Sequence, residues 1–257
     1  MRKLTLLVVI GAVSLFGMSG IEVVNKVNAR DDGQQVSRKL KMVLVNKHGK
    51  QRVRETKSYR KYYGEDKKSI IFYTAPKRVA KTAFLTYDYK DKEDQQWLYL
   101  PAIKKVRRIS ASDRGDWFLG TDFSYEDIKK ETKISTKDYN FELAGEDDID
   151  GHACYKIVGT TKNKDIAEEL GYSKVISFID KDIFITRKSI FYDVRGELLK
   201  VLHSQDIKKI DGIWTITHMH MENKQNGHTS DFYFTDIDYK TPIKDKLFTK
   251  QALKRGK

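Results

Sequence analysis

The sequence has few of the features that cross-link a fold covalently or divide a chain into domains. Cys154 is the one cysteine among 257 residues, so an internal disulfide bond cannot form. We interpret Cys154, within the strand-like "GHACYKIVG", as a small buried hydrophobe rather than a nucleophile. Only three prolines occur, and no linker-like or low-complexity stretch is present. We therefore expect residues 30–257 to form a single domain.

Motifs that carry catalysis are also missing. There is no Gly-x-Ser-x-Gly elbow, no P-loop, no Gly-x-Gly-x-x-Gly and no Cys-x-x-Cys. His218 and His220 lie two apart, which places both rings on one face of a strand, and Glu222 continues that face. No further ligand is evident, so we favour a polar outer face over a metal site. The sequence predicts a protein that is not an enzyme and uses no metal or cofactor.

No hydrophobic run is long enough to span a bilayer. The longest covers residues 4–16, whereas a membrane-spanning helix needs about 20 residues. A basic start precedes this run, and the small-residue sequence Val-Asn-Ala at 27–29 follows it. We predict a signal peptide over residues 1–29 with Arg30 as the first mature residue. Cleavage near Ser19-Gly20 is a second possibility, and an uncleaved anchor is the alternative.

Positive charge is in surplus. The 49 lysines and arginines outnumber 36 acidic residues, for a net charge of +13. Residues 1–29 contain three basic residues and one acidic residue, so the rest of the chain carries +11. This balance favours anionic membrane surfaces or polyanions as neighbours, although a solvated lysine-rich surface explains it as well. Aromatic residues interleave with lysines in "SYRKYYGEDKK", but a secreted protein seldom meets nucleic acid, and we predict no nucleic-acid partner.

Period-two alternation dominates after residue 35. "KLKMVLVN" places Leu40, Met42 and Leu44 on one face, "HGK" follows as a turn, and "QRVRETKSYRKYY" runs back as a hairpin. Similar runs separated by short turns continue to "TSDFYFTDIDY". Because crossover helices are scarce, we predict a mainly β protein with one curved antiparallel half-barrel of about 11–13 strands.

Three short helical segments are expected, and two or three short helices are predicted to cover that sheet as a lid. Ser124 with Asp127 three residues later indicates a capping box. "KDIAEELG" ends at Gly171, a typical C-cap, and "KDKLFTKQALKR" lies near the C-terminus. A large curved sheet covered in this way either keeps an internal cavity or packs completely, and the patterns do not decide between the two.

Several motifs resemble the LolA-like family of outer-membrane lipoprotein-sorting proteins. They are "WLYLPAIKKVRRI", "GTDFSYEDI", "NKHGKQRVRE", "AFLTYDY" and "DQQWLYLP". The likeness covers about residues 36–245 and is greatest to the branch found alongside RND-type (MMPL-like) exporters. Trp117 and Thr121 depart from the pattern, which more usually has a small polar residue and a serine there.

The resemblance implies a LolA/LolB-like half-barrel with helices as a lid over an apolar cavity. It also implies a soluble periplasmic carrier, without catalysis, that binds acyl chains of lipids or lipoproteins for transfer to the outer membrane. The alternative is an accessory periplasmic subunit of an RND-type exporter with no cargo of its own. The outer-membrane acceptor is not identified, and the fold alone does not determine the cargo.

Two groups of side chains are candidates for this function. Trp97 and Tyr99 alternate on a strand that Pro101 ends, so we expect them to face the cavity, with Leu98 and Leu100 pointing away. The full set predicted to line the cavity is Phe72, Phe84, Trp97, Tyr99, Trp117, Phe118, Phe123 and Trp214. The set predicted to hold an anionic head group or dock on a membrane is Lys104, Lys105, Arg107, Arg108 and Arg114. For Arg107 and Arg108 the alternative is pairing with Asp113 and Asp116.

Overall fold

This computed structural model describes residues 17–256 of the chain. Thirteen strands and four short α-helices lie within them. The strands are β1 Gln35–Val45, β2 Gln51–Tyr63, β3 Asp66–Ala75, β4 Ala83–Asp88, β5 Gln95–Leu100, β6 Lys105–Ile109, β7 Tyr139–Ile149, β8 His152–Thr161, β9 Lys174–Asp180, β10 Thr186–Tyr192, β11 Leu198–Ile210, β12 Ile213–Asn223 and β13 Thr229–Asp238. The helices are α1 Gly20–Ala29, α2 Tyr125–Lys130, α3 Lys164–Leu170 and α4 Lys250–Arg255.

All thirteen strands of residues 17–256 form one antiparallel sheet. Its order is β6-β5-β4-β3-β2-β1-β13-β12-β11-β10-β9-β8-β7, so β1 and β13 meet in the middle and β6 and β7 are the edges. Short turns make this meander possible. In the β1–β2 turn, for example, the Asn46 carboxamide oxygen accepts hydrogen bonds from the backbone N–H groups of His48 and Lys50, each at 3.0 Å. The predicted curved antiparallel sheet is confirmed.

The inner face of the sheet is covered by the connection between the two edge strands. This crossing segment, residues 110–138, runs from β6 to β7 and includes α2. Phe118 is fully buried and packs on Phe84 and Tyr125, with ring centroids 5.1 and 5.6 Å away. Alternation on β1 places Met42 and Leu44 in the same core. The crossing segment therefore closes one part of the concave face with aromatic side chains.

The outer face of β2–β5 is also buried, by the C-terminal segment. Ile243, Phe248 and Leu253 pack there in a second core whose sheet residues are Ile70, Phe72, Ala83, Leu85 and Trp97. The C-terminal helix, one of the three expected helical segments, is therefore not part of the lid over the inner face. α4 packs against β4 and β5 from the outside, because alternating strands with apolar residues on both faces need a cover on both.

α1 packs on the inner side near β7 and β8. Ser19 and Glu22 form a capping box at its start, and a Cβ atom on Gly20 would lie 2.8 Å from the backbone carbon of Glu142. Its buried valines are Val23, Val24 and Val27, which pack with Ile157 and Ile179. Residues 20–29 lie within the predicted leader and contribute to this core. The part of the predicted leader at residues 1–16 lies outside the described residues. No helix within residues 17–256 has the length and apolar character to cross a bilayer.

Candidate functional site: a cavity on the concave face

Between the inner face of the sheet and its cover lies a cavity of about 220 Å³. Strands β1–β3 and β7–β13 form its wall, and residues of α1, α2, α3 and the crossing segment form its roof. One buried water needs at least about 10–15 Å³ of such space, so the cavity has room for roughly 15 to 20 groups of that size. A core packed solid is therefore excluded for the concave face.

Most of the wall is apolar. Phe123 of the crossing segment stacks on Phe232 with ring centroids 4.2 Å apart, and both rings line the cavity. Met219 and Met221 add flexible thioether side chains that adapt to guests of different shape. The other apolar lining residues include Leu40, Ile71, Phe141, Ile157, Val175, Ile185, Phe191, Leu202, Ile216 and Phe234.

The cavity has a polar end, defined here by six charged lining residues: Arg30, Asp32, Arg38, Arg60, Glu131 and Lys133. It lies where β1 begins, β2 ends and β12 begins. Arg60 binds Asp32 through Nη1 at 2.8 Å, and Arg38 binds Glu131 through Nη2 at 2.9 Å. Lys133 lies 3.3 Å from Asp32 and donates to the carbonyls of Asn28 and Arg30.

The electrostatics of this end keep its carboxyl groups ionised. Burial by itself would raise the pKa of Glu131, but the guanidinium groups of Arg38 and Arg60 outweigh burial and hold that pKa below its usual value. Burial likewise opposes ionisation of Asp32, while Arg60 and Lys133 lower its pKa. Four cations then face two carboxylates, so the polar end carries a net charge of about +2.

A second buried charge ties α2 to the sheet. The side chain of Lys200 is fully buried, and its Nζ lies 2.7 Å from both Asp127 Oδ2 and the carbonyl of Asp122. Asp127 also accepts hydrogen bonds from the Tyr172 hydroxyl at 3.0 Å and from the backbone N–H of Ser124 at 2.8 Å. Burial lowers the pKa of Lys200, and Asp127 opposes that effect. We refer to the Lys200–Asp127 pair as the α2 tether.

Of the residues predicted to line the cavity, Phe123 and Trp214 do so. Phe84 of β4 and Phe118 of the crossing segment lie in the same inner core, where their rings pack on each other, but neither lines the cavity. Trp117 keeps 41% of its surface exposed, with its ring 4.9 Å from Lys200 Nζ. The structure therefore brings part of the predicted set together on the concave side.

Phe72, Trp97 and Tyr99 require a correction, since they face the outside of the sheet. The Trp97 ring packs edge-on against Tyr87, with centroids 5.1 Å apart, and lies 4.4 Å from Lys250 Nζ near the start of α4. Leu98 and Leu100, predicted to point away, belong to the inner core. Alternation identified the two faces of β5 correctly but not which one is concave.

The predicted basic set divides into two environments. Lys104 and Lys105 are exposed at the β5–β6 turn. Arg107 pairs with Asp113 at 3.0 Å, as the alternative interpretation proposed, although Arg108 contacts Glu93 instead of Asp116. Arg114 does not belong with them, because it is largely buried and pairs with Asp138 at 3.1 Å and Glu169 at 3.0 Å.

The two histidines considered as metal ligands, and the lone cysteine, have contacts that explain them without a functional site. His218 Nε2 and His220 Nδ1 each lie 2.8 Å from Asp231 Oδ1 on the neighbouring strand. No group of three or more potential ligand side chains in residues 17–256 is arranged to hold a metal ion. Cys154 is buried, as predicted, and burial raises the pKa of its thiol to about 11, which keeps it a poor nucleophile.

Comparison with known proteins identifies relatives that share this architecture. A family model with the description "uncharacterized protein" matches residues 65–255. A solved DUF1329 family protein from Desulfovibrio piger is 30% identical, with a TM-score of 0.82 over 90% of this chain and 96% of that one. A Vibrio parahaemolyticus structure described as an outer-membrane lipoprotein-sorting protein domain is 29% identical, with a TM-score of 0.83 over 92% and 98% of the chains.

A LolA superfamily protein from Nitrosomonas europaea shares the fold at 22% identity, with a TM-score of 0.69 over 92% of this chain and 100% of that one. No curated protein matches the chain. The half-barrel, the covered concave face and these relatives agree on a carrier-type fold. The chain belongs to the family that the model describes, and its 30% identity to the DUF1329 family protein agrees with this, while it shares its fold with the lipoprotein-sorting protein domain and the LolA superfamily protein.

Proposed function

We propose that this protein is a periplasmic, non-enzymatic carrier that binds an acyl chain of a lipid or lipoprotein in the concave cavity. The observation that carries the proposal is the apolar cavity of about 220 Å³ beneath a cover of short helices. An exported chain without a catalytic motif is suited to holding a guest, and a relative described as a lipoprotein-sorting protein domain supports this reading. Delivery to an outer-membrane acceptor and partnership with an RND-type exporter stay predictions.

The energetics suit reversible binding. Fifteen methylene groups leaving water would contribute about 12 kcal/mol, at about 0.8 kcal/mol each. Association costs at least about 4 kcal/mol in translational and rotational freedom. The remainder, at most about 8 kcal/mol, corresponds to a dissociation constant of about 1 μM. A guest held with that affinity can be passed on to an acceptor that binds it more tightly.

A pair of substitutions on one strand tests the proposal. Val175 lines the cavity, and its neighbour Ile176 points to the opposite face of β9. Val175→Trp should fill the space and weaken retention of a pyrene-labelled fatty acid, whereas Ile176→Trp should leave retention unchanged. Circular dichroism checks that both variants fold. Equal retention in the two variants would remove the cavity as the binding site.

The exposed β5–β6 turn is proposed as the contact with anionic membranes. Ile103 is 58% exposed there, beside Lys104 and Lys105, and lysines near an anionic surface contribute about 1 kcal/mol each. Co-sedimentation with phosphatidylglycerol vesicles should decrease when both lysines are changed to glutamate. Phosphatidylcholine vesicles should bind neither form. Unchanged sedimentation of the double variant with phosphatidylglycerol would contradict the assignment.

A further inference from the structure

The polar end of the cavity contains more positive charge than its own carboxylates neutralise. Arg30 and Arg60 both face the cavity, but Arg60 alone has a carboxylate partner, Asp32. Arg30 donates from Nη1 to the carbonyls of Trp214, at 2.9 Å, and Asp31, at 3.3 Å. Within residues 17–256, no acidic side chain forms an ion pair with Arg30.

Two donors at this end also have no hydrogen-bond partner. Among the described residues, the Nε–H groups of Arg30 and Arg60 are buried and donate to no oxygen within hydrogen-bond distance. The side chain of Arg60 is only 4% exposed, and a carboxylate oxygen of Glu131 lies 3.6 Å from its Nε, beyond hydrogen-bond distance. A buried unpaired donor of a charged group is costly, and such a group commonly marks the position of a ligand, ion or water.

The two donors do not belong to one local motif. Arg30 follows α1 directly, and Arg60 comes from β2, so the fold itself brings them to the same end of the cavity. Burial lowers the pKa of Arg30, and the nearby Asp32 opposes that effect only in part. Much of the adjoining wall is apolar and includes Leu40 on β1 and Phe234 on β13, whose ring centroid lies 4.5 Å from the guanidinium carbon of Arg38.

We propose that the guest is an amphiphile with an anionic head, carboxylate or phosphate, and that Arg30 and Arg60 receive this head while the acyl chain occupies the apolar wall. The inference deepens the proposed carrier function and rests on it. An oxygen anion at the polar end would take up the unpaired guanidinium donors and reduce the local charge of about +2. Charge-assisted bonds of this kind are the strongest that guanidinium groups form.

The experiment compares matched acidic and neutral probes on the full chain. The first pair is pyrene-labelled hexadecanoic acid and its methyl ester, and the second is pyrene-labelled phosphatidic acid and diacylglycerol. At pH 7.5 the wild type should bind the acidic member of at least one pair about tenfold more tightly, as one charge-assisted hydrogen bond provides. Preference within the first pair identifies a fatty-acid head, and preference within the second identifies a phosphate head.

Substitutions then locate the effect. Arg30→Gln should lower affinity for the preferred acidic probe about tenfold and leave the neutral probe unchanged. Arg30→Lys should recover part of it, because the charge remains. Lys104→Gln removes an exposed charge outside the cavity and should change neither affinity. Arg60 is left intact, since its side chain is buried and paired with Asp32, so a substitution there would also destabilise the fold.

The outcomes separate the two proposals. Equal binding of acidic and neutral probes by the wild type, or equal effects of Arg30→Gln and Lys104→Gln, would overturn the head-group inference and leave the carrier function standing. Failure of every probe to bind would remove the carrier function as well.

Discussion

Replacing Lys200 by methionine should destabilise the protein more than any other single change of a charged side chain considered above. Lys200 has no exposed surface, and its ammonium group is held by Asp127 and the carbonyl of Asp122 at 2.7 Å. Removing one partner of a buried pair leaves the other charge uncompensated and costs about 3–5 kcal/mol. Asp127 would keep its hydrogen bonds from Tyr172 and Ser124, so the expected loss lies near 3 kcal/mol.

A double-mutant cycle makes this reasoning quantitative. Asp127→Asn alone leaves the buried ammonium group of Lys200 without a carboxylate partner. It should lower the free energy of unfolding about as much as Lys200→Met. The variant carrying both changes should lose about 3 kcal/mol rather than the sum, because neither charge is then left without a partner. Lys104→Met, at an exposed position, is the matched control and should change stability by less than about 0.5 kcal/mol.

Urea unfolding followed by tryptophan fluorescence measures these differences at constant m-value. Because the α2 tether anchors the cavity roof, Lys200→Met should also release a pyrene-labelled fatty acid faster than the wild type. A loss below about 1 kcal/mol for Lys200→Met, or strict additivity in the double variant, would refute a stabilising pair at this position.

Three further predictions follow from other parts of the molecule. Burial would raise the pKa of Asp88, but neighbouring lysines, Lys67 foremost, lower it to about 2. Since this folded pKa lies below the unfolded value of about 3.9, Asp88 stabilises the protein above pH 4, and about 2 kcal/mol is lost between pH 4 and pH 2. Asp88→Asn should flatten the acid-unfolding profile in that window, and an unchanged profile would count against the pairing. Gly20→Ala should cost about 1–3 kcal/mol in thermal unfolding because its Cβ would meet the β7 backbone at 2.8 Å. Gly17→Ala, with nothing within 4 Å, should be neutral; similar melting of both variants would show that α1 does not pack as described. Trp97→Ala should lower the free energy of unfolding by about 3 kcal/mol but leave the affinity for the fatty-acid probe unchanged. A folded variant that no longer binds the probe would show that Trp97 lines the cavity after all.

Much of the architecture could be predicted because the local signals agree with the tertiary structure. Period-two alternation and short turns gave the antiparallel sheet and its strand count. The capping box at Ser124 and the C-cap at Gly171 are present as predicted. These features depend on residues that are close in sequence, so pattern alone is sufficient to find them.

The direction in which each strand faces could not be predicted from alternation. β5 has large side chains on both sides, since the C-terminal segment buries Trp97 and the crossing segment buries Leu98. Neither cover is visible in the pattern of β5 itself. α1 was missed for a related reason, because its apolar stripe with Val23 and Val27 follows directly on the apolar run of a predicted leader.

The charged groups of the cavity leave a weak signal in the sequence. Arg38 is in phase with the inward Leu40 on β1, and Lys200 is in phase with the inward Leu202 on β11. A charged residue at an inward position needs a partner, but those partners lie 93 residues away for Arg38 and 73 for Lys200. Separations of this size require the tertiary structure.

Native mass spectrometry of the protein purified from its source without detergent tests the carrier function most directly. The account predicts a species heavier than the bare chain by the mass of one acyl-containing lipid, which Val175→Trp should reduce and Ile176→Trp should retain. A spectrum with only the bare chain, from a folded protein that also fails to take up a fatty-acid probe, would contradict it.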